Sequence, residues 1–491
     1  MVRCAFEYKK KCYYSALFCK LAKKAYYCIM LEHPPTYREL LQENIELKRK
    51  ISDLNTVVLE LLVRVSELEK QLGKNSENSS KPPSTDGFKK KPQNNREKTG
   101  KKPGGQVGHE GRTLRLVSES EVSELHYLKV IGICKCGADL CSSGEVVGRE
   151  RRQVWDIPDL RPFIREYQLE RKKCSCGCIH KAACDWAFSV QYGANIQALT
   201  CYLQTMQLLP VARTQELLSD IFGFEQISEG VILESSEVCY DALSNWEISQ
   251  KELLTVEPVL HTDETGCQMN GKREWMHVCS TESLTLYQHH AKRGKEAHQA
   301  HEILPFFKGI LMHDRYSSYN GYDCTHSFCN AHLLRELKAL IEAGQTWAKD
   351  MYALINQVHQ GLYCAVSLEN EYQVIIKQGL SDNPQPVRIH AKGKIKKTDS
   401  LLLLECFRDK KAEIFRFFHQ KEAPFDNNLA ERDIRMFKLK QKISGCFRTE
   451  KGAKIFCRVR SYISTLKKQG KNVWEKLCAI FNNPTCPVST G

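Results

Sequence analysis

The chain has 491 residues, 42% of them hydrophobic, which is long enough for two to four folded units rather than a single core. Its 72 Lys and Arg residues outnumber 58 Asp and Glu residues, and the formal charge of +14 indicates a polyanionic partner or a basic surface that keeps the protein in solution. No run of roughly 18 apolar residues suggests a membrane span. The 23 dispersed cysteines favour a reducing, cytoplasmic compartment over a secreted disulfide scaffold.

A heptad repeat follows an N-terminal extension, residues 1–37, whose status the sequence leaves open. The repeat occupies residues 38–73 and predicts one long helix with a single apolar seam. The d positions are Leu40, Leu47, Leu54, Leu61 and Leu68, and the a positions are Asn44, Ile51, Val58, Val65 and Leu72. This pattern favours a parallel two-stranded coiled coil in which Asn44 sets the register, and hence a homodimer. Packing of the helix against its own chain is the alternative.

Residues 74–115 lose this periodicity and become rich in Lys, Asn, Ser, Pro and Gly. So few apolar residues cannot form a core, which predicts a basic flexible linker. Such an arm either neutralises DNA phosphates without reading base sequence or is simply solvated.

Two cysteine clusters lie in the next segment, residues 116–190, which we expect to be a small β-rich unit. They are Cys134-Lys-Cys136-Gly and Cys174-Ser-Cys176-Gly-Cys178. Four thiolates on two short turns are typical of a structural Zn²⁺ site, which would allow so small a unit to fold. The candidate ligands are Cys134, Cys136, Cys174 and Cys176, with Cys178, His126 and His180 as substitutes. Ordinary free thiols are the alternative.

Residues 191–252 are predicted to form a helical lead-in. Gly223 is a candidate helix stop, and Ser228 is a candidate N-cap for the helix that follows. Two helices joined by a short turn also resemble a DNA-binding helix-turn-helix. Three acidic residues on the second helix would repel phosphates and favour a structural role instead: Glu229, Glu234 and Glu237.

A catalytic domain is predicted over residues 253–470, followed by a tail at 471–491. The strand-like segments EPVLHTDE, REWMHVCST and LTLYQHHAK predict an antiparallel meander. A helix over Lys295–Leu304, strands at GILMHD and HSFCNAH, and the helix LLRELKALIEA follow. This order fits an α/β ribonuclease-H-like fold with a helical insertion at about 335–420. Lysines 392, 394, 396 and 397 in the insertion either hold a DNA flank or are solvated.

Three acids of this domain predict a two-metal site. Asp263 and Asp314 each follow a short apolar run that reads as a buried strand, and Glu431 lies in a basic helix. Carboxylates at the ends of adjacent strands, with one from a packed helix, are able to hold two Mg²⁺ ions roughly 3.5–4 Å apart. Such a pair of ions is typical of phosphodiester chemistry.

Basic residues follow Glu431 along and beyond the same helix and predict a phosphate-binding surface. They are Arg432, Arg435, Lys438, Lys442 and Arg448. Surface ion pairing is the alternative. Asn427 and Asn428 either cap this helix or contact the strand end. In the motif Cys329-x-x-His332-x-x-Arg335, His332 either moves a proton, contacts DNA or is structural, and the role of Arg335 is left open.

Five segments resemble the large transposase of the sixty-six-type insertion sequences, a bacterial DDE family. They are GKNSENSSKPPSTDGF, KKPGGQVGHEGRTL, VLHTDETG, CNAHLLREL and DNNLAERDIR, and the similarity runs over roughly residues 38–480. The resemblance implies a ribonuclease-H-like fold and a catalytic triad at Asp263, Asp314 and Glu431. It implies two Mg²⁺ ions, replaceable by Mn²⁺, DNA as element ends and target, and two small accessory proteins.

The resulting hypothesis is a cytoplasmic, nucleoid-associated DNA transposase that cleaves and joins strands. Two alternatives are a catalytically inert zinc and coiled-coil DNA-binding protein and a nuclease of the same fold that only hydrolyses DNA.

Overall fold

The structure is a computed structural model that describes residues 36–73, 108, 114–143, 145–184, 188–225, 227–385 and 397–482. The chain divides into two compact units, Met1–Lys90 and Lys91–Gly491. The N-terminal extension up to residue 35, nearly all of the basic linker and lysines 392, 394 and 396 lie outside the described residues. None of the helices within the described ranges is both long and apolar enough to cross a membrane.

The described part of the first unit is the long helix α1 (Tyr37–Gly73), which the heptad pattern predicts. Its start is capped by Glu39, whose carboxylate accepts the Thr36 backbone N–H at 2.8 Å. The seam side chains for which exposure is described are open to solvent, with Leu40 at 49%, Leu54 at 56% and Leu61 at 58%. The described part of this apolar row is therefore exposed on α1.

The cysteine-containing segment has much less strand than expected. In its described residues, the regular structure comprises an antiparallel ribbon, β1 (Arg171–Lys173) and β2 (Ile179–Lys181), a 3₁₀ turn at Glu119–Glu121 and an isolated bridge between Ile133 and Asp139. The expectation of a β-rich unit holds only for this ribbon. Large apolar side chains such as Leu128 and Val147 are 96% exposed, so longer strands would have no buried face on which to pack.

The lead-in is helical, as predicted: α2 (Ala194–Cys201) with a π turn at Tyr202–Met206, α3 (Val211–Phe222), α4 (Glu229–Ala242) and α5 (Ser244–Val256). Gly223 ends α3 in the left-handed region at φ 70°, where a residue without Cβ carries no steric penalty. The Ser228 hydroxyl accepts the Val231 N–H at 3.3 Å and caps α4. Both boundary predictions are confirmed.

A five-stranded mixed sheet forms the centre of the second unit. Its strands are β3 (Val259–Met269), β4 (Lys272–Ser280), β5 (Thr285–His290), β6 (Ile310–His313) and β7 (Thr325–Phe328). Their order across the sheet is β5-β4-β3-β6-β7. The first three are antiparallel, as the predicted meander requires, whereas β6 and β7 run parallel to β3. The strand at the centre of the sheet is therefore the one that leads to Asp263.

Helices cover both faces of this sheet. One face packs on α13 (Asn428–Ser444) and α14 (Glu450–Lys468) through a core that includes Met276, Phe437 and Phe456. The other face packs on α5, on α6 (Lys295–His301) and on the 3₁₀ turn Ser317–Gly321, around Leu260, Phe307 and Leu311. The predicted helix from Lys295 ends at His301, three residues early. The closing helix α15 (Val473–Asn482) packs with α2.

The helical insertion lies between β7 and α13. It contains α7 (Asn330–Glu342), α8 (Thr346–His359), α9 (Ala365–Asp382), α10 (Asp399–Asp409), α11 (Lys411–Ile414) and α12 (Arg416–His419). These helices share their own core around Trp347, Phe407 and Phe415. The indole of Trp347 donates to the Ser400 hydroxyl at 3.0 Å, which satisfies its one polar atom. Lys397 pairs with Glu405 at 2.6 Å, so it is engaged within the insertion.

Gly309 allows β6 to approach β3, and its substitution should destabilise the sheet. A Cβ atom there would lie 2.6 Å from the carbonyl oxygens of Glu257 and Pro258. We expect Gly309→Ala to lower the stability by about 1–3 kcal/mol, the usual cost of overpacking, measured as a lower urea midpoint by tryptophan fluorescence. Gly321→Ala is the control, because no atom lies within 4 Å of its added Cβ. Equal midpoints for the two variants would contradict this account.

Candidate functional site

The two predicted aspartates lie at the same level of two neighbouring parallel strands, Asp263 within β3 and Asp314 directly after β6. In the β3–β6 register, His261 pairs with Met312, and Asp263 and Asp314 each lie two residues further along. The Asp263 carboxylate accepts the Glu264 N–H at 2.8 Å, and the Asp314 carboxylate accepts the Tyr316 N–H at 2.9 Å. Each aspartate is thus oriented by the backbone just beyond it.

Glu431 lies in the first turn of α13, which packs on the same face of the sheet as Asp263. Ala430 and Ile434 share a core with Cys267. Because alternate strand residues point to the same face, Asp263 and Cys267 lie on one side of β3. The structure therefore brings the strand-borne and helix-borne acids to one side of the sheet.

The three acids lie close enough for their charges to affect one another. Burial raises the pKa of the Asp263 carboxyl well above its usual range, and the charges of Glu264, Asp314 and Glu431 raise it further. The like charges disfavour ionisation of Asp263 because each added negative charge repels the others. A bound cation would relieve this repulsion, as expected for a site that holds divalent ions.

Asn427 connects the glutamate helix to the aspartate strand. Its side-chain amide donates to the Thr262 carbonyl at 2.8 Å, and its Oδ1 lies 2.9 Å from His261 Nδ1. Its backbone N–H donates to Cys329 Sγ at 3.2 Å. Asn427 is 2% exposed and makes no side-chain cap on α13. Of the two roles predicted for this residue, contact with the strand end is the one observed.

A second anchor lies two residues beyond Glu431. The Asp433 carboxylate accepts hydrogen bonds from Ser280 at 2.6 Å and Thr285 at 3.0 Å, and pairs with Lys468 at 2.7 Å. These contacts join α13 to two strands and to α14. The helix is therefore held on both sides of its glutamate.

Glu264 forms a buried polar group on the opposite face of β3. Its carboxylate pairs with Arg293 at 2.7 Å and accepts a hydrogen bond from the Tyr319 hydroxyl. Arg293 also stacks over the Tyr316 ring at 3.9 Å from the centroid. The sequence gives one signal of this group, since an acidic residue next to Asp263 on a buried strand requires a partner.

The motif that follows β7 contacts Glu431 directly. His332 Nδ1 lies 3.5 Å from one Glu431 carboxylate oxygen, and the Arg335 guanidinium lies 3.7 Å from the other. Within the described ranges, one group of possible metal-ligand atoms lies within 4.8 Å of one another, and it consists of Cys329, His332 and Glu431. Burial lowers the pKa of His332 and raises that of Cys329 to about 12. The site thus contains a sulfur and a nitrogen donor besides its carboxylates.

The predicted phosphate-binding residues are solvent-exposed on α13 and in the turn before α14. They are Arg432, Arg435, Lys438, Lys442 and Arg448. Lys438 also donates to the Gly266 carbonyl at 2.8 Å, which attaches α13 to β3. The other four keep their charge at the surface.

The predicted zinc ligands occupy two turns with the same hydrogen bonds. Cys134 N–H donates to Ala138 at 2.9 Å and Cys174 N–H donates to Cys178 at 2.8 Å. In each turn a glycine with positive φ, Gly137 or Gly177, donates back to the first cysteine. The thiols of the two turns do not converge into one ligand group in the part of the chain that the structure describes.

Removal of the Asn427 amide should loosen the glutamate helix. We expect Asn427→Ala to reduce the stability by about 1–3 kcal/mol, because the Thr262 carbonyl loses a buried partner, and the urea midpoint measures this loss. Asn428→Ala is the matched control, since that exposed side chain bonds only Asp426. If the two variants unfold at the same midpoint, Asn427 does not hold the helix.

Comparison with known families gives two matches. The Transposase IS66 family matches residues 189–455, and a Family of unknown function (DUF6444) matches residues 32–115. A comparison with curated proteins finds no match. The first match includes Asp263, Asp314 and Glu431, covers more than half of the 491 residues and extends from the helical lead-in into α14. The chain therefore belongs to the Transposase IS66 family.

Proposed function

We propose that the protein is a DDE-type transposase that binds the ends of an insertion sequence and cleaves and joins DNA strands at Asp263, Asp314 and Glu431. The observation that carries the proposal is the register of β3 with β6, which sets the two aspartates side by side on neighbouring strands. The packing of α13 on the same sheet face supports Glu431 as the third member. Membership of the family supports the reaction class.

The strand order favours a ribonuclease-H-like catalytic fold. Three antiparallel strands followed by two parallel ones, in the order β5-β4-β3-β6-β7, match the pattern predicted for that fold. The insertion between β7 and α13 lengthens the chain between Asp314 and Glu431 without interrupting the sheet. A DDE centre at this edge is consistent with that topology.

The carboxylates suit two Mg²⁺ ions, with Mn²⁺ as a substitute, because these ions prefer oxygen ligands. Burial and the charges of the neighbouring acids raise the pKa of Asp263, and a bound cation would offset the repulsion between the acids. When bound, the ions supply Lewis-acid stabilisation of charge on the phosphodiester oxygens. The residues of this chain hold and orient the DNA. Arg432, Arg435 and Lys442, exposed on α13, draw phosphates towards Glu431.

The proposed reaction has two in-line displacements. Water attacks phosphorus at the element end, breaks the P–O3′ bond and frees a 3′-OH. That hydroxyl then attacks a target phosphodiester, forms a new P–O bond and releases a target 3′-OH. Both steps use one site, because they differ only in the attacking oxygen. No covalent bond between protein and DNA is required.

Zn²⁺ is the proposed structural ion of the cysteine-containing unit, with Cys134, Cys136, Cys174 and Cys176 as ligands. Support comes from the two matching turns, each with a glycine that allows a tight bend around a pair of thiols. The exposed apolar side chains of this unit give it little core of its own. A metal that joins the two turns would supply the missing stability.

We further propose that the protein dimerises through α1 and acts in the bacterial cytoplasm in association with the nucleoid. The uncovered seam on α1 supports a coiled coil, and a dimer allows two element ends to be paired. Small accessory proteins are further proposed partners.

A strand-transfer assay with pre-nicked end DNA tests the catalytic proposal. We expect Asp263→Asn, Asp314→Asn and Glu431→Gln each to lower joining by at least 10²-fold, because removal of a charged ligand or stabilising group usually costs that much. Asp323→Asn is the control, since this acid is 98% exposed and pairs only with Lys308.

The products of the same assay separate the alternatives. Joined DNA supports a transposase, nicks without joining indicate a hydrolytic nuclease, and binding without either indicates an inert DNA-binding protein. Full joining by Asp314→Asn would contradict the assigned site.

Sedimentation equilibrium of the full chain tests the dimer. We expect Leu54→Lys to reduce the mass from dimer to monomer, because it places a charge in the apolar seam. Asn55→Lys, one residue away and off the seam, should remain dimeric. An unchanged mass for Leu54→Lys would refute dimerisation through α1.

A further inference from the structure

The donors that meet beside the carboxylates are of three kinds. A sulfur from Cys329, a ring nitrogen from His332 and a carboxylate oxygen from Glu431 lie within 4.8 Å of one another. Cys329 directly precedes α7, His332 lies in its first turn, and Glu431 comes from the first turn of α13. The first helix of the insertion and the helix that follows the insertion therefore contribute to one small cluster.

Two atoms of this cluster are buried without a hydrogen-bond partner. They are Nδ1 of His332 and Oε1 of Glu431, and they face each other at 3.5 Å. Buried polar atoms are nearly always satisfied, so an unpaired nitrogen and an unpaired oxygen in contact require an explanation. A cation between them would satisfy both.

The Cys329 sulfur is held in place by a hydrogen bond and shielded from water. The Asn427 backbone N–H donates to Cys329 Sγ at 3.2 Å, the kind of contact from outside the ligand shell that orients a metal ligand. Cys329 is 1% exposed, so bulk water does not compete for its sulfur. Asn427 also bonds the strand that leads to Asp263, which places the sulfur at the same junction as the carboxylates.

The chemistry of the donors selects the class of ion. Mg²⁺ takes oxygen ligands, whereas a thiolate, an imidazole and a carboxylate together suit Zn²⁺. Three protein ligands leave a fourth tetrahedral position open, as in zinc sites that act on substrates.

We propose that Cys329, His332 and Glu431 form a site for a zinc-class divalent ion, with Glu431 shared between this ion and the Mg²⁺ ions of the carboxylate cluster. The binding of the ion stands independently, whereas its link to catalysis rests on the proposed transposase function. Zn²⁺ and the Mg²⁺-dependent reaction thereby become coupled through one side chain.

Cobalt titration of the metal-free full chain tests the site, because Co²⁺ replaces Zn²⁺ and reports thiolate ligands by a charge-transfer absorption. Cysteines of the two turns will contribute, so the measurement is the difference between variants. We expect Cys329→Ala and His332→Gln each to lower the Co²⁺ stoichiometry by one equivalent, and Cys329→Ala to weaken the thiolate band. Cys457→Ala is the matched control, a buried thiol on α14 that contacts Met276 outside the cluster.

Urea midpoints show whether each variant folds. If Cys329→Ala fails to fold, His332→Gln alone tests the site. Equal stoichiometry and spectra for the unaltered chain and His332→Gln would overturn the proposed site. A separate joining assay in Mg²⁺ distinguishes the two proposals. A chain that binds Co²⁺ through these residues but joins no DNA refutes the proposed function alone. A chain that joins DNA with a cobalt spectrum insensitive to both variants refutes the ion site alone.

Discussion

The buried amide of Asn427 is the contact on which the arrangement of the acids depends. It bonds the Thr262 carbonyl and His261 on the central strand, while its own backbone bonds Cys329 at the start of the insertion. The residue is nearly inaccessible to water, so a shift of α13 would leave buried polar groups unpaired at a cost of about 1–3 kcal/mol for each. Hydrogen bonding, in addition to apolar packing, therefore sets the distance between Glu431 and Asp263.

Charge is distributed in two layers around this junction. The acids are partly or fully buried, and burial together with the neighbouring negative charges raises the pKa of Asp263. The arginines of α13 are exposed and leave the positive charge on the surface. A polyanion that approaches this surface meets attraction first and the carboxylates afterwards. This order of charges suits the DNA binding that membership of the family implies.

The helical insertion separates the second aspartate from the glutamate along the chain but not in space. Its helices share a core built around Trp347 and Phe407, which also includes Phe328 at the end of β7. Its first helix nevertheless contributes His332 and Arg335 to the glutamate. The insertion therefore contacts the site through its first helix.

Local patterns in the sequence were sufficient to predict the strands, the long helix α1 and the caps at Ser228 and Gly223. They also predicted which elements contain the three acids. Each of these features depends on alternation, spacing or neighbouring residues. The strand content of the cysteine-containing segment was over-predicted, since strand propensity does not reveal whether a core exists to bury a strand. Tertiary structure alone decided that Asn427 would join the strand rather than cap its helix, that Glu264 would pair with Arg293, and that Cys329 and His332 would meet Glu431. Those contacts join segments as far as 166 residues apart, and only the packing of one face against another brings such distant partners together.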